Sequence, residues 1–194
     1  VSPQNIFTTF DGHTRVLDFG IARARNRSTR TEAGVVKGKF AYLSPEQLEG
    51  GDLDGRSDLF ALGVVLFELT TLTRLFARPS DAEVLRAVME CRIPRPSTLV
   101  PEYPVELEDI LLKALSRNRD ARYESCDAFR AALEDFLSKR RLPHSPARVA
   151  TVMKSLFPDD AKALPQAADA PRAEAKSGES QTRADGNKAR ADQN

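Results

Sequence analysis

The segment 57–72 constrains the fold more than any other part of the chain. Leu59, Leu62, Leu66 and Leu69 recur at three- and four-residue steps, the period of one helix face. Val64, Val65 and Phe67 fill the remaining faces, so this helix is apolar nearly all round and has to be wrapped by other elements. The apolar stretch 59–72 is too short to span a bilayer and contains Glu68, which makes it a buried core helix rather than a membrane span. Ser57 or Asp58 is placed to cap its start.

Other helices follow. One is expected over 81–91 with Ser80 as its cap, one over 105–116 with Leu107, Leu111, Ala114 and Leu115 inward, and one over 126–139 with Phe129, Leu133, Phe136 and Leu137 inward. Pro94, Pro96, Pro101 and Pro104 mark an irregular connection. Residues 145–156 can form a short amphipathic helix on Val149, Val152, Met153 and Leu156. Near the start, 5–9 and 14–17 are β-rich and flank Phe10-Asp11-Gly12-His13, a hairpin signal because glycine accepts positive φ. Residues 21–39 carry many Arg, Ser, Thr and Gly, and a long loop of that kind inside a compact domain is usually functional. From Ala161 on, Leu164 is the one large apolar residue, so 161–194 is expected to be a disordered tail.

The length of 194 residues holds one domain plus an extension. With 29 basic and 28 acidic residues the net charge is +1, which gives no field favouring nucleic acid or an anionic membrane. No signal peptide is expected, since 8–15 is polar and mixed. Cys91 and Cys126 fall in predicted helices and read as reduced, core or semi-buried thiols of a cytoplasmic protein. His13 and His144 have no Cys or His at metal-ligand spacing and read as surface residues.

Four marks stand in a fixed order. Asp18-Phe19-Gly20 follows the hairpin, and the run from Gly38 to Ser44-Pro45-Glu46 lies one loop later. Arg56-Ser57-Asp58 then opens the apolar helix, and Asp120-Ala121-Arg122-Tyr123 comes near the end of the helical region. Together they resemble the C-terminal lobe of a protein kinase, most closely a bacterial serine/threonine protein kinase of the eukaryotic-like family, over 1–140. The resemblance implies an α+β, mainly α fold: a kinase-like C-lobe with a short β-hairpin and four or five helices, the N-lobe absent. It implies a partial kinase domain over 1–140, a short helical extension over 141–160 and the tail over 161–194.

Phosphoryl transfer depends on positioning and on neutralising charge, and magnesium ions need oxygen ligands. By resemblance, Asp18 and Asn5 hold Mg2+, Gln4 lies near the ribose of ATP, and Phe7 floors the adenine pocket. Asn5 precedes the first strand and Asp18 follows the second, so the hairpin brings both to one end. Ala41 and Tyr42 shape the surface that receives the protein substrate. Glu46 pairs with Arg122 in a buried ion pair, and Asp58 anchors the catalytic loop through backbone N–H groups, where the plainer reading is a helix cap. Ser28, Thr29 and Thr31 lie among Arg23, Arg25, Arg27 and Arg30; phosphorylation there would order the loop, and a solvated polar loop is the equal alternative.

The chain departs from the family pattern in several places. The catalytic-loop His-Arg-Asp, the glycine-rich loop and the nucleotide-binding lysine are missing, so the chain is expected to be a fragment, inactive alone and poorly stable, with Leu62, Val65 or their neighbours facing water. Ser2 stands where such kinases carry Lys, and Lys39 where they carry Thr. Lys39 is therefore a candidate catalytic cation that replaces the one missing at Ser2; the competing reading is an exposed loop charge. A non-catalytic module docking on an intact kinase, or a remnant, is the reading from a different class.

Overall fold

The computed structural model describes residues 1–17 and 39–163. The chain divides into two compact units, 1–158 and 159–194. In the first, strands β1 (Ile6–Thr8) and β2 (Thr14–Val16) pair antiparallel with Ile6 opposite Val16, Phe7 opposite Arg15 and Thr8 opposite Thr14. Helices α1 (Pro45–Glu49), α2 (Gly55–Thr71), α3 (Asp81–Glu90), α4 (Val105–Ala114), α5 (Cys126–Lys139) and α6 (Pro146–Leu156) follow. A last helix, α7 (Pro158–Ala163), crosses the expected boundary at residue 160.

Helix α2 is the centre, as its composition demands. Leu59, Phe60, Val64 and Phe67 are fully buried, and burying each such side chain stabilises the fold by about 1.5–3 kcal/mol. Phe60, Val64 and Phe67 join Phe76 from the following loop, Val88 of α3 and Leu111 of α4 in one cluster; Phe60 stacks on Phe76 with ring centroids 6.3 Å apart. A smaller cluster sets Leu59 against Ala114 and Phe129, which fixes α5 over the start of α2. Gly63 allows the α2–α4 approach: a Cβ there would lie 3.1 Å from Leu115 and 3.3 Å from Ala114.

Several expectations are corrected. The leucine row leaves the core: Leu59 is buried, Leu62 and Leu66 are half-buried, and Leu69 is 69% exposed. Val65, expected to face water, is buried. The helical period places these side chains on one face, but the packed elements end before that face does. The cap of α2 is Asp54, which accepts from the Arg56 amide at 2.9 Å, so neither Ser57 nor Asp58 serves. Cys126 is exposed because it sits in the first turn of α5, ahead of the residues that pack, while Cys91 is half-buried; both are free. Ser80 caps α3 and Ser145 caps α6 by accepting from amides three residues on. Among the described residues, no helix is long and apolar enough to cross a membrane.

Candidate active site

The open end of the hairpin is where the first predicted site residues gather. Pro3 preorganises a tight turn over Pro3–Asn5, closed by the Asn5 amide donating to the Ser2 carbonyl at 2.9 Å. The Leu17 amide then donates to the Asn5 carbonyl at 2.8 Å. Asn5 and Leu17 are thus side by side, one position short of Asp18. Asp18 itself lies outside the described residues, as do Ser28, Thr29 and Thr31.

Strand parity sorts the rest. Ile6 packs against the main core. Phe7 and Leu17 take the opposite parity and are 50% and 49% exposed. Phe7 therefore offers an apolar face to solvent, as a floor for a planar ligand must. Leu17 shares that face and was not singled out from sequence; counting in twos from Phe7 through its partner Arg15 finds it. Gln4 is exposed on the preceding turn, and the buried Ser2 hydroxyl donates to its Oε1 at 3.4 Å.

Asp58 stands in the first turn of α2 with its side chain 64% exposed, and its Oδ1 lies 3.4 Å from the Val1 amino nitrogen, 57 positions away. Asp54, not Asp58, caps the helix.

Lys39 is exposed where the turn Phe40–Tyr42 begins. Ala41 and Tyr42 do not present their side chains to solvent: they are 6% and 4% exposed and belong to the main core. The Tyr42 hydroxyl donates to Glu68 Oε2 at 2.7 Å, and the Leu75 amide donates to Glu68 Oε1 at 3.3 Å. Burial first, and the Glu68 carboxylate second, push the Tyr42 phenol up to about 12. These residues pin the turn to α2, so any part they play in shaping a surface is through the backbone they hold. Glu68, the one charge in the stretch 59–72, is explained by this bond.

The second gathering is buried. Arg122 grips Glu46 with both ends of its guanidinium, Nη1 to Oε1 at 2.7 Å and Nη2 to Oε2 at 2.8 Å. Its remaining donors go to the carbonyls of Ser116, Arg56 and Arg117, and the guanidinium stacks 4.8 Å from the Phe60 ring centroid. Ser57 donates to Glu46 Oε1 at 2.8 Å, which is its actual role. Burial would raise the Glu46 carboxyl, but hydrogen bonds from Arg122, the backbone, Ser57 and Ser44 outweigh it and hold the group at about 2. The pair joins α1, α2 and the loop before α5 across 76 positions. The sequence pairing of Glu46 with Arg122 is the geometry found; the Ser57 contribution was missed, although its place beside Asp58 at the helix start makes it a natural donor.

The comparisons with known proteins bear on this arrangement. A family model for the protein kinase domain matches residues 1–134. The tyrosine-protein kinase MasK of Myxococcus xanthus is 48% identical over 139 residues, 72% of this chain and 22% of that protein. A probable serine/threonine-protein kinase, SCO3848 of Streptomyces coelicolor, is 37% identical over 164 residues, 82% of this chain and 24% of its own length. Serine/threonine-protein kinase PknL of Mycobacterium tuberculosis is 34% identical over 143 residues, 74% and 36% respectively. The chain belongs to the protein kinase family, among the bacterial kinases of eukaryotic-like type. It spans about a fifth to a third of the length of these relatives.

Proposed function

We propose that the chain is the C-terminal lobe of a bacterial protein kinase whose whole form transfers the γ-phosphate of ATP to serine or threonine hydroxyls of proteins. The observation that carries this reading is the Leu17–Asn5 backbone bond, which sets Asn5 beside the start of the Asp18-Phe19-Gly20 segment. An amide oxygen and a carboxylate suit a hard dication, so Asn5 and Asp18 would hold magnesium. Bound magnesium would neutralise phosphate charge during transfer. Gln4 would face the ribose, and Phe7 with Leu17 would floor the adenine. Asp58 would hold the preceding loop, and Glu46 with Arg122 would fix the segment that ends in Ser44-Pro45-Glu46. Lys39, exposed one residue before Phe40, would meet the transferred phosphate. Ser28, Thr29 and Thr31 would be the phosphorylation sites of the activation segment.

In this reading 1–140 is the lobe, 141–160 an extension and 161–194 a tail, in a cytoplasmic protein. The sequence holds no His-Arg-Asp and no glycine-rich loop, so the 194-residue chain is a fragment that transfers no phosphate alone. The test is a radiolabelled ATP assay on a mixed protein substrate. The chain by itself is expected to give no transfer, and the chain extended upstream by its own reading frame is expected to give magnesium-dependent transfer. Transfer by the 194 residues alone, or micromolar magnesium-dependent ATP binding, would overturn the fragment reading and leave the family unaffected.

A second reading concerns the acceptor. MasK is named a tyrosine kinase, and Ser2 and Lys39 depart from the serine/threonine pattern at positions that, by resemblance, would approach the catalytic aspartate and the transferred phosphate. Phosphoamino acid analysis of the labelled product separates the two: phosphoserine and phosphothreonine support the first reading, phosphotyrosine the second.

A further inference from the structure

We infer that helix α6 is a clamp on the hairpin, with Ala150 and Gly12 as its positioning contact. This rests on the reading of the hairpin as the element that holds Asn5 and Asp18. Helix α6 begins beyond the residues the kinase family model matches, which end at 134, so the domain alone does not account for it.

The hairpin needs outside support. Its strands are three residues each, and an isolated two-stranded hairpin of that size is marginal in water. Ile6 anchors one end in the main core. The other end is the tip, where the Gly12 amide donates to Thr9 O at 2.9 Å and Gly12 takes φ +86°. Gly12 is buried although Asp11 and His13 on either side are exposed. What buries it is α6: a Cβ at Gly12 would fall 1.8 Å from the Pro146 carbonyl oxygen and 2.9 Å from the Ala150 nitrogen. The contact is backbone against backbone and leaves no room for any side chain.

Helix α6 meets the hairpin through the Pro146 carbonyl and the Ala150 amide. Ala150 is 9% exposed and Met153, one turn on, is half-buried, whereas Val149, Val152 and Leu156 are 38%, 54% and 64% exposed. The inward face of α6 is narrow, and the close fit over Gly12 fixes where it sits. The tether is loose, since every residue from 138 to 149 is exposed. Undocking α6 thus leaves α5 and the core intact and releases only the tip. The tip lies one three-residue strand from Asn5, so its release loosens the Leu17–Asn5 bond at the other end.

The test is hydrogen exchange, residue by residue, on the full 194-residue chain and on Ala150→Leu, with Val152→Ser as a control on the exposed face. In Ala150→Leu the amides of Gly12 and Leu17 are expected to exchange about tenfold faster, with α2 amides from Leu59 to Phe67 unchanged. Val152→Ser is expected to change neither. If the leucine variant does not accumulate as folded protein, Ala150→Val gives a smaller shift of the same selectivity. Unchanged Gly12 and Leu17 amides would overturn the clamp. So would a rise shared evenly with α2, because α6 would then be part of the common core. Exchange is read without nucleotide, so absence of magnesium-dependent transfer by the upstream-extended chain would count against the kinase reading and leave the clamp standing.

Discussion

The Glu46–Arg122 joint and the Asn5–Leu17 hairpin end are built by opposite means. At the joint, one buried arginine satisfies its donors on a carboxylate and three carbonyls drawn from separate parts of the chain. At the hairpin end, two neighbouring segments share a backbone bond, and Phe7 and Leu17 stand half in water. At the joint every nitrogen of the Arg122 guanidinium has an acceptor within the chain. The hairpin face sets half-exposed Phe7 and Leu17 on either side of exposed Arg15, the condition of a surface that waits for something to lie on it. A scaffold that is finished and a face that is unfinished should respond differently to mutation, to acid and to ligand.

The largest effect is expected at the joint. Arg122→Ala leaves the Glu46 carboxylate half-buried and without its partner, and should lower unfolding stability by about 3–5 kcal/mol, or roughly 10 °C in Tm for a domain of this size. Urea and thermal unfolding followed by circular dichroism measure it. A loss under about 1 kcal/mol would mean that water reaches the pair and screens it, as at exposed ion pairs, and the contrast with the hairpin would collapse.

Acid should act on the same place. The Glu46 carboxyl is held at about 2, below its ordinary 4.5. A depressed carboxyl favours the folded state while ionised, so its contribution is full above about pH 4.5 and is lost as pH falls toward 2. Stability measured across pH 5 to 2 should therefore drop in the wild type. In Glu46→Gln, already weaker at pH 5, the drop should be shallower. Parallel curves would assign the acid sensitivity to other carboxylates.

A middle effect is expected from Tyr42→Phe. It removes the 2.7 Å bond to Glu68 inside the core while keeping the ring, and leaves Glu68 with the Leu75 amide as a remaining donor. The expected loss is about 1–3 kcal/mol, smaller than at the joint because one partner is retained. Equal losses in Tyr42→Phe and Arg122→Ala would show that the turn over Phe40–Tyr42 belongs to the same rigid unit as the ion pair.

The joint was largely legible in the sequence and the hairpin face only in part. Glu46 and Arg122 stand 76 residues apart with no local rule to connect them; resemblance to a family linked them, and no spacing argument could have. Periodicity found α3 and α5 nearly to the residue, because their apolar positions repeat and Ser80 marks the start of α3. It failed at Leu69, since a helical row tells which residues share a face and not how far the neighbouring elements extend along it. Asp54 was overlooked as the cap of α2 because Gly55 follows it, and a glycine reads as a breaker rather than a first helical residue. Leu17 was missed although strand parity marks it. The seat of α6 on Gly12 was beyond sequence reasoning: a Gly in a hairpin turn already has a reason to be there, and its close contact with Ala150 is a tertiary fact.

The smallest effect on stability, and the most informative about the uncovered face, is expected from Phe7→Ala and Leu17→Ala. Both side chains are half-exposed, so truncation removes little buried area, and each should change unfolding stability by no more than about 1 kcal/mol. If the face is a floor for adenine, both variants should weaken magnesium–ATP binding by the upstream-extended chain several-fold, while the remote pair tested by Arg130→Ala, an exposed contact to Glu134 at 2.7 Å, should alter neither quantity by more than about 0.5 kcal/mol. Titration calorimetry beside urea unfolding reads both. Loss of stability without loss of binding would mean that Phe7 and Leu17 hold the hairpin together and that the open face is structural. Loss of binding without loss of stability is what an unfinished surface predicts, since its side chains do their work only when the ligand is on them.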